Sequence, residues 1–319
     1  MNEVLTKIGE LGIVPVVKIE DANDAAPLGK ALLDGGLPVA EITFRTAAAE
    51  EAITRMTAEV PDVFVGAGTV LTVENAKKAV AAGAKFIVSP GFNPKVVGYC
   101  VENNIPITPG INSPTQIEMA LEFGLEVVKF FPAEASGGLP MLKAMSAPYG
   151  SIKFIPTGGV NAKNLNTYLS FPKILACGGS WMVKADLISS GKFDEITALT
   201  KEAMATMLGF EFAHLGINEE NADSALSSAN LLSQLFSFGV KDGNSSVFAG
   251  PGVEITKSRN LGAHGHIAIG TNSIQRAIAY LKRQGFDTLP DTAKEKDGKL
   301  KAIYLSAEVS GFAIHLLQK

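Results

Sequence analysis

The sequence has 319 residues, of which 46% are hydrophobic and 19% are charged, and its formal net charge is −4. This hydrophobic fraction is ample for a buried core, so a mainly disordered chain is excluded. The chain has no lysine- and arginine-rich run, which excludes the electrostatic footprint of a nucleic-acid-binding protein. Because Lys7, Glu10 and Gly12 interrupt the first apolar segment, we expect no signal peptide, no membrane span and a cytoplasmic location.

All four histidines lie beyond residue 213. Acid/base chemistry in the first two-thirds of the chain must therefore use carboxylates, lysine, tyrosine or water, and histidine-bound metal is excluded there. The two cysteines, Cys100 and Cys177, are too few for a disulfide framework and lack the spacing of metal ligands. They suit a reducing compartment.

Eight short apolar runs alternate with amphipathic segments through the first 180 residues or so. This alternation predicts parallel strands joined by crossover helices. Eight units favour a (β/α)8 TIM barrel over an open doubly wound sheet, although periodicity alone leaves the open sheet as an alternative. Glycine, proline and polar residues collect at the C-terminal ends of the runs, where barrel enzymes carry their sites. The runs are Ile13–Val17, Val39–Phe44, Phe64–Val70, Phe86–Pro90, Ile105–Thr108, Val127–Phe131, Lys153–Thr157 and Ile174–Cys177.

Helices are expected over Ala47–Val60, Val73–Ala82 and Pro114–Phe123. For the last of these, Ser113 is the expected N-cap and Pro114 the first helical residue.

Past a further helix, at about residues 194–208, the pattern changes. A strand, a helix and two more strands are expected, with a third following strand left open, and the same βαββ(β) order then recurs. This repeat predicts a smaller α+β domain built from two similar βαβββ modules. We therefore expect two domains, residues 1–207 and 208–319, with the boundary near Gly209.

Lys129 lies within the apolar run Val127–Phe131. Burial makes a charged lysine costly, and the neutral amine is a nucleophile toward ketones. The alternative is an ammonium group that reaches the barrel mouth or pairs with a carboxylate. On this strand alone both interpretations stand.

A second strand favours the catalytic interpretation. Alternation places Glu41, Thr43 and Arg45 on one face, pointing two opposite charges into the barrel. One interpretation is an internal Glu41–Arg45 ion pair, which is costly unless fully satisfied. In the other interpretation Glu41 is a general acid/base and Arg45 binds an anionic group.

Glycine-rich turns follow the seventh and eighth runs, at residues 157–160 and 178–180. In TIM barrels these two loops commonly form a phosphate site, because glycine lets backbone N–H groups approach the anion.

Six motifs in order resemble the 2-keto-3-deoxy-6-phosphogluconate / 4-hydroxy-2-oxoglutarate aldolase family over about residues 1–207. The resemblance implies a (β/α)8 barrel, usually a homotrimer, acting as a class I aldolase without a metal. The motifs are EITFRT (41–46), GAGTV (66–70), SPGF (89–92), KFFPA (129–133), PTGGV (156–160) and GGSWM (178–182).

By this resemblance Lys129 forms the Schiff base, Glu41 is the general acid/base and Arg45 binds the substrate carboxylate. The implied reaction cleaves 2-dehydro-3-deoxy-6-phosphogluconate to pyruvate and glyceraldehyde 3-phosphate, a step of the Entner-Doudoroff pathway. Cleavage of 4-hydroxy-2-oxoglutarate to pyruvate and glyoxylate is the second implied reaction. The implied binding residues are Thr69, Pro90, Phe131 and Thr157 for the pyruvate end, and Gly158, Gly159, Gly179 and Ser180 for the phosphate.

The segments 212–217 and 265–269 each begin one half of the second domain and resemble the vicinal oxygen chelate superfamily, which includes glyoxalase I. The resemblance implies metal ligands on the first and last strands of each half, at His214, Glu254, His266 and His315. Three imidazoles and one carboxylate suit zinc, nickel or iron. The alternative is that these are half-buried polar residues of a domain used for assembly. His264 is expected in the preceding loop.

Three alternatives to the aldolase remain at this stage. A metal-dependent epimerase is disfavoured by a barrel without histidine. A sugar-acid-binding sensor that retains the barrel is disfavoured by the presence of both Lys129 and Glu41. A second, metal-dependent activity in the C-terminal domain is the third.

Overall fold

The computed structural model describes residues 2–319. The chain divides into two compact units, the first ending at Met207 and the second spanning Leu208–Lys319. No helix within residues 2–319 combines the length and the apolar character needed to cross a membrane.

The first unit alternates strands with helices through most of its length. Its strands are β1 (Ile13–Val17), β2 (Val39–Thr43), β3 (Phe64–Gly68), β4 (Ile87–Val88), β5 (Ile107–Thr108), β6 (Gly110–Ile111), β7 (Val127–Phe130), β8 (Lys153–Pro156) and β9 (Cys177–Gly179). Its helices are α1 (Glu3–Leu11), α2 (Ala25–Asp34), α3 (Ala49–Glu59), α4 (Val73–Ala81), α5 (Pro94–Glu102), α6 (Pro114–Glu122), α7 (Gly138–Ser146), α8 (Leu165–Leu169), α9 (Ala185–Ser189) and α10 (Phe193–Leu208).

The strand pairing in this unit is parallel throughout. One sheet has the order β5-β4-β3-β2-β1-β9 and the other β6-β7-β8. Two isolated parallel bridges, Phe154 to Ile174 and Thr157 to Gly178, connect β8 with the β9 segment. The unit therefore has an α/β, barrel-like fold whose parallel strands are almost entirely buried.

Only Pro109 separates β5 from β6. The predicted run Ile105–Thr108 contains β5 but ends before β6, which the sequence did not predict. Proline has no backbone N–H and cannot donate to a ladder. Its carbonyl oxygen accepts a hydrogen bond from the Lys129 N–H at 2.9 Å, which connects this segment to β7.

The helix termini follow ordinary capping chemistry, with one difference from expectation. The side chains of Asn2, Thr72 and Asn93 accept hydrogen bonds from the first turns of α1, α4 and α5. Ser113 occupies the N-cap position of α6, but its side chain accepts no hydrogen bond from the helix. The Gln116 side chain instead accepts from the Asn112 N–H and the Ser113 hydroxyl. Ser113 and Pro114 therefore occupy the predicted N-cap and first helical positions, and only the side-chain cap is absent.

The second unit contains two consecutive sets of one strand, one helix and three strands. The first set is β10 (Glu211–Asn218), α11 (Ala222–Phe236), β11 (Val240–Asp242), β12 (Ser246–Ala249) and β13 (Val253–Thr256). The second set is β14 (Gly265–Thr271), α12 (Ile274–Arg283), β15 (Thr288–Lys296), β16 (Lys299–Val309) and β17 (Phe312–Gln318).

All eight strands of this unit form one sheet, in the order β11-β12-β13-β10-β14-β17-β16-β15. The first strands of the two sets, β10 and β14, are antiparallel neighbours at its centre. Each of them pairs in parallel with the last strand of its own set, β13 or β17. The first and last strands of both sets therefore lie side by side in the middle of the sheet.

The sequence predicts neither β11 nor β15. Both are edge strands, and most of their residues are exposed. An edge strand with little burial lacks the alternating apolar pattern on which the prediction depends.

Candidate active site and candidate metal centre

Lys129 and Glu41 form an ion pair inside the barrel. Lys129 is the third residue of β7 and Glu41 the third residue of β2, and they are only 5% and 3% exposed. The Lys129 Nζ donates to Glu41 Oε1 at 3.2 Å. This pairing excludes the internal Glu41–Arg45 ion pair, because Glu41 pairs with Lys129 instead. It is also the carboxylate pairing that the sequence left as the alternative for Lys129. A carboxylate that close can take a proton from the amine and return it.

Gly68 is required for this arrangement, although the sequence analysis assigned it no role. A Cβ atom at this position would lie 2.2 Å from Glu41 Oε1. Gly68 belongs to β3, the strand that pairs with β2. The second glycine of the GAGTV motif, Gly68, thus leaves the space that the Glu41 carboxylate occupies.

The surroundings of the pair are mainly apolar. A small enclosed cavity borders both side chains and is lined by Ile8, Val14, Phe86, Val88, Thr108, Ile155 and Thr157. In such surroundings neither charge has much water around it, so each depends on the other for stabilisation.

A larger cavity of about 540 Å³ lies at the C-terminal ends of the strands and shares Thr157 with the small one. Phe131 lines the larger cavity, and the centroid of its ring lies 5.4 Å from the Lys129 Nζ. Seven predicted site residues line this cavity, namely Arg45, Phe131, Thr157, Gly158, Gly159, Gly179 and Ser180.

Thr157 is buried, and its hydroxyl has no hydrogen-bond partner among residues 2–319. A Cβ atom at Gly178 would lie 2.3 Å from that hydroxyl oxygen, so glycine at this position leaves the space that the hydroxyl occupies beside β9. An unpaired buried hydroxyl is costly unless a ligand or water satisfies it.

Arg45 lies beyond the end of β2 and is exposed. Its Nε donates to the Thr69 hydroxyl at 3.3 Å, which orients the guanidinium. Thr69 adopts a φ of 54°, a left-handed conformation that is uncommon for a β-branched residue. Thr69 and Pro90 are not among the residues that line either cavity.

The sequence analysis missed two lysines that also line the larger cavity, Lys18 and Lys184. Lys18 is the first residue after β1, and Lys184 immediately precedes α9. Isolated exposed lysines are too common for sequence alone to single them out.

The buried Tyr168 and the exposed Glu134 form a hydrogen-bonded pair beside the Gly158–Gly159 turn. The Tyr168 hydroxyl donates to the Glu134 carboxylate, and a Cβ atom at Gly159 would lie 2.5 Å from the Glu134 side chain. Burial, with this hydrogen bond, raises the pKa of Tyr168 well above its ordinary value, so the phenol remains a donor. Glycine at position 159 therefore allows the Glu134 side chain to pack closely, and it also permits the left-handed φ of 85° found there.

In the second unit, three of the four predicted metal ligands come together. His214, Glu254 and His266 lie on β10, β13 and β14. The two histidine Nε2 atoms and Glu254 Oε2 are 3.0 to 3.2 Å from one another. Ligand atoms around a tetrahedral zinc lie about 3.3 Å apart, so this donor set has the spacing of a metal site.

His315 differs from the other three. Its ring stacks on that of His266, with centroids 5.1 Å apart, yet it is not part of the three-residue ligand cluster. Neither of its ring nitrogens has a hydrogen-bond partner within residues 2–319. Burial, together with the nearby His266 and His214, lowers the pKa of His315 to about 3 and keeps the ring neutral. His264 lies in the loop before β14, as expected.

Glu254 is held in its charged form. Burial opposes its ionisation, but hydrogen bonds from His214, His266 and Ser246 outweigh burial and lower the pKa of Glu254 well below its ordinary value. The Ser246 hydroxyl donates to Glu254 Oε1 at 2.6 Å, which leaves Oε2 for the histidines.

Gly216 gives the His266 ring its space, since a Cβ atom there would lie 2.0 Å from the ring. The sequence analysis assigned no role to Gly216 on β10 or to Ser246 on β12, because a single glycine or serine in a strand carries no distinguishing pattern.

Comparison with known proteins covers the first unit. The family model for KDPG and KHG aldolase matches residues 4–199. A 2-dehydro-3-deoxy-phosphogluconate aldolase from Treponema pallidum is 51% identical over 204 residues, which cover 64% of this chain and 97% of that protein. The KHG/KDPG aldolase of Escherichia coli K12 is 41% identical over 192 residues, which cover 60% of this chain and 90% of that protein.

Solved structures agree. KDPG aldolase from Legionella pneumophila, with pyruvate captured as a covalent carbinolamine intermediate, has a TM-score of 0.61 and 38% identity, covering 62% of this chain and 97% of its own. The Zymomonas mobilis ZM4 enzyme with 3-phosphoglycerate has a TM-score of 0.59 and 41% identity, covering 63% and 95%. A family model that matches well over half of the chain, supported by these relatives, shows that the chain belongs to the KDPG and KHG aldolase family of carbon–carbon lyases.

Proposed function

We propose that the first unit is a class I aldolase that cleaves 2-dehydro-3-deoxy-6-phosphogluconate to pyruvate and glyceraldehyde 3-phosphate. The observation that carries this proposal is the buried Lys129–Glu41 pair at 3.2 Å, beside a cavity lined by cations and glycines. Such a pair supplies a nucleophile and a proton carrier in one place, without a metal.

In the first step Glu41 takes a proton from the Lys129 ammonium, and the neutral amine attacks the C2 ketone of the substrate. Glu41 returns this proton to the departing C2 hydroxyl, and loss of water gives a protonated Schiff base, which acts as an electron sink while Glu41 is again a carboxylate. Glu41 then accepts the C4 hydroxyl proton, directly or through a water, while the C3–C4 bond breaks and the aldehyde leaves. Returning a proton to C3 of the enamine and hydrolysing the iminium release pyruvate and regenerate Lys129.

Most of the binding roles follow the lining of the larger cavity, whereas those of Thr69 and Pro90 rest on the family resemblance. Arg45, oriented by Thr69, would hold the substrate carboxylate, with Pro90, Phe131 and Thr157 at the pyruvate end. The glycines of the two turns, together with Ser180, would take the phosphate. Glycine backbone N–H groups can approach an anion closely because no side chain intervenes. The same pyruvate end accommodates 4-hydroxy-2-oxoglutarate, which we propose as a second substrate.

The finer description of the fold is also a proposal. We infer a closed (β/α)8 barrel in which β5 and β6 together form the fifth strand, interrupted at Pro109. Closure is supported by the bridges between the β8 and β9 segments and by the hydrogen bond from Lys129 to Pro109. We further propose a homotrimer, which light scattering coupled to gel filtration tests.

Trapping with borohydride tests the aldolase directly. Borohydride added with pyruvate should reduce the Schiff base and add a stable mass to the peptide that contains Lys129, and Lys129→Ala should prevent this. A matched control is Lys153→Ala, which removes an exposed lysine from the neighbouring strand β8. A label on another residue, or no label, contradicts the assignment. A protein that is labelled but releases no pyruvate from either substrate favours the sugar-acid sensor.

For the second unit we propose a domain like those of the vicinal oxygen chelate superfamily, holding one divalent metal between His214, Glu254 and His266. The convergence of three donor atoms to 3.0–3.2 Å supports this proposal. Two imidazoles and a carboxylate suit zinc or iron. A metal bound there would act as a Lewis acid toward an oxygen ligand. His315, beside the cluster, is the candidate fourth ligand.

Metal analysis of the full chain, purified without a histidine tag, tests this site. We expect one metal ion per chain, reduced to near zero in His266→Ala. His264→Ala serves as the matched control, because His264 lies in the loop outside the cluster and should leave the metal content unchanged. The proposal is contradicted if the wild-type protein holds no stoichiometric metal after incubation with zinc, nickel or iron(II).

A further inference from the structure

The larger cavity of the first unit is lined by positively charged side chains, whereas the chain as a whole is acidic. The chain carries a formal charge of −4. Among residues 2–319, those lining this cavity include three cations, Lys18, Arg45 and Lys184, and no carboxylate. A cationic cavity in an acidic protein selects for an anionic ligand. Arg45 accounts for one anionic group, so two cations remain without an assigned role.

Both lysines lie around the glycine turns proposed for the phosphate. Lys184 is four residues beyond Ser180, in the same loop after β9. Lys18 follows β1, which pairs with β9 so that Pro15 lies opposite Gly179, while β1 pairs with β2 on its other side. Going around the barrel, Lys18 therefore lies between the Gly179–Ser180 turn and Arg45.

Lys18 already has a partner, and that partner is weakly held. Its Nζ lies 2.6 Å from Glu20 Oε1, and the two side chains are 45% and 56% exposed. Exposed ion pairs contribute little because water and salt screen them. A phosphate dianion can therefore displace Glu20 from Lys18 at little cost. Both lysines carry a compact charge on a flexible stem, which suits an anion presented by a mobile substrate end.

We propose, building on the aldolase function above, that Lys184 and Lys18 bind the phosphate of the substrate and determine the preference for phosphorylated over unphosphorylated sugar acids. Lys18 leaves Glu20 for the phosphate when the substrate enters. The glycine turns shape the subsite, and the two lysines supply its charge. Neither lysine takes part in the bond-making steps at Lys129.

The test compares two substrates that differ only in the phosphate, 2-dehydro-3-deoxy-6-phosphogluconate and the unphosphorylated 2-dehydro-3-deoxygluconate. Lys184→Gln and Lys18→Gln should each raise KM for the phosphorylated substrate roughly tenfold, the loss expected for one hydrogen bond to a charged group. The value of kcat should change by less than about twofold, because the chemistry at Lys129 is untouched. The specificity constant for the unphosphorylated substrate should remain at the wild-type value.

Glu20→Gln gives an expected change of the opposite sign. Removing the competing carboxylate frees Lys18, so KM for the phosphorylated substrate should fall, and this fall should disappear in the Glu20→Gln/Lys18→Gln double variant. Lys30→Gln, which removes an exposed lysine on α2 outside the cavity, is the control for net charge and should leave both KM values unchanged.

The proposal is overturned if the two lysine variants keep wild-type KM, if they weaken both substrates equally, or if Lys30→Gln has the same effect. Failure of the aldolase function itself gives a different result. In that case the wild-type protein neither releases pyruvate nor forms the borohydride adduct, whereas the lysine variants are expected to retain the adduct with pyruvate at the wild-type rate.

Discussion

Each unit of this chain buries a cluster of titratable groups, but the clusters are balanced differently. In the first unit Lys129 and Glu41 satisfy each other at 3.2 Å inside an apolar barrel. In the second, two imidazoles and one carboxylate converge, and buried ring nitrogens of His266 and His315 have no partner within residues 2–319. The two charges of the first cluster are paired with each other, while the second cluster has donor atoms without a partner in the described residues, which supports the metal site proposed above. Perturbing each cluster should therefore have distinct consequences.

Glu41→Gln should have the largest effect. The amide keeps the shape of the side chain but cannot carry protons, so kcat for pyruvate release should fall by about 10²- to 10⁴-fold. A coupled assay of pyruvate release measures this loss. Metal content of the second unit should be unaffected. A kcat within tenfold of the wild-type value would show that another group moves the protons.

Gly68→Ala should have the next largest effect. The new Cβ would lie 2.2 Å from Glu41 Oε1, so the carboxylate must move. A displacement of about 1 Å at a reacting group can cost on the order of 10²-fold in rate, which should appear in kcat. Gly91→Ala is the matched control, since nothing lies within 4 Å of a Cβ atom there. Equal rates for the two variants would contradict this role for Gly68.

Ser246→Ala probes the second cluster without removing a ligand. Ser246 donates to Glu254 Oε1 at 2.6 Å, and loss of such a supporting hydrogen bond typically lowers metal affinity 10- to 100-fold. Competition with a chromogenic chelator measures the affinity. Ser245→Ala, at the exposed neighbouring position, should bind as the wild type does. Unchanged affinity in Ser246→Ala would mean that Glu254 is oriented by other groups.

The smallest expected effect is a pH dependence in the metal-free second unit. The pKa of His315 is about 3 in the folded protein, lowered by burial from 6.5, so only the unfolded chain binds this proton between those values. Stability should fall as the pH drops below 6.5, by about 2 kcal/mol at pH 5. Glu254 does not contribute in this window, because its lowered pKa affects stability only below about 4.5.

Hydrogen exchange of peptides from β14 and β17, corrected for the intrinsic rate and recorded with EDTA at pH 7 and pH 5, measures this dependence. His315→Phe removes the titrating group and should flatten it. The same slope in wild type and variant would contradict the assignment to His315.

The contrast between the units also explains why the sequence predicted more of the first unit than of the second. In the first unit each strand carries a continuous apolar run, and the polar exceptions, Lys129 and Glu41, stand out because burial of charge is costly. The second unit exposes more of its sheet, so β11 and β15 lack a clear pattern and were missed. Its histidines could be proposed as ligands from the resemblance of two short segments, but their convergence could not.

By itself the sequence determined the αβ alternation, the residues that can do chemistry and the restriction of every histidine to the second unit, since these depend on local pattern and residue type. Only the tertiary structure decided which charges pair. Glu41 could have paired with Arg45, four residues further along the chain, but the fold brings Lys129 to it from 88 positions away. Likewise, the sheet brings three of the proposed ligands together and leaves His315 stacked beside them, outside the three-residue cluster. Long-range register and the space left by single glycines set these contacts, and neither is encoded in local periodicity.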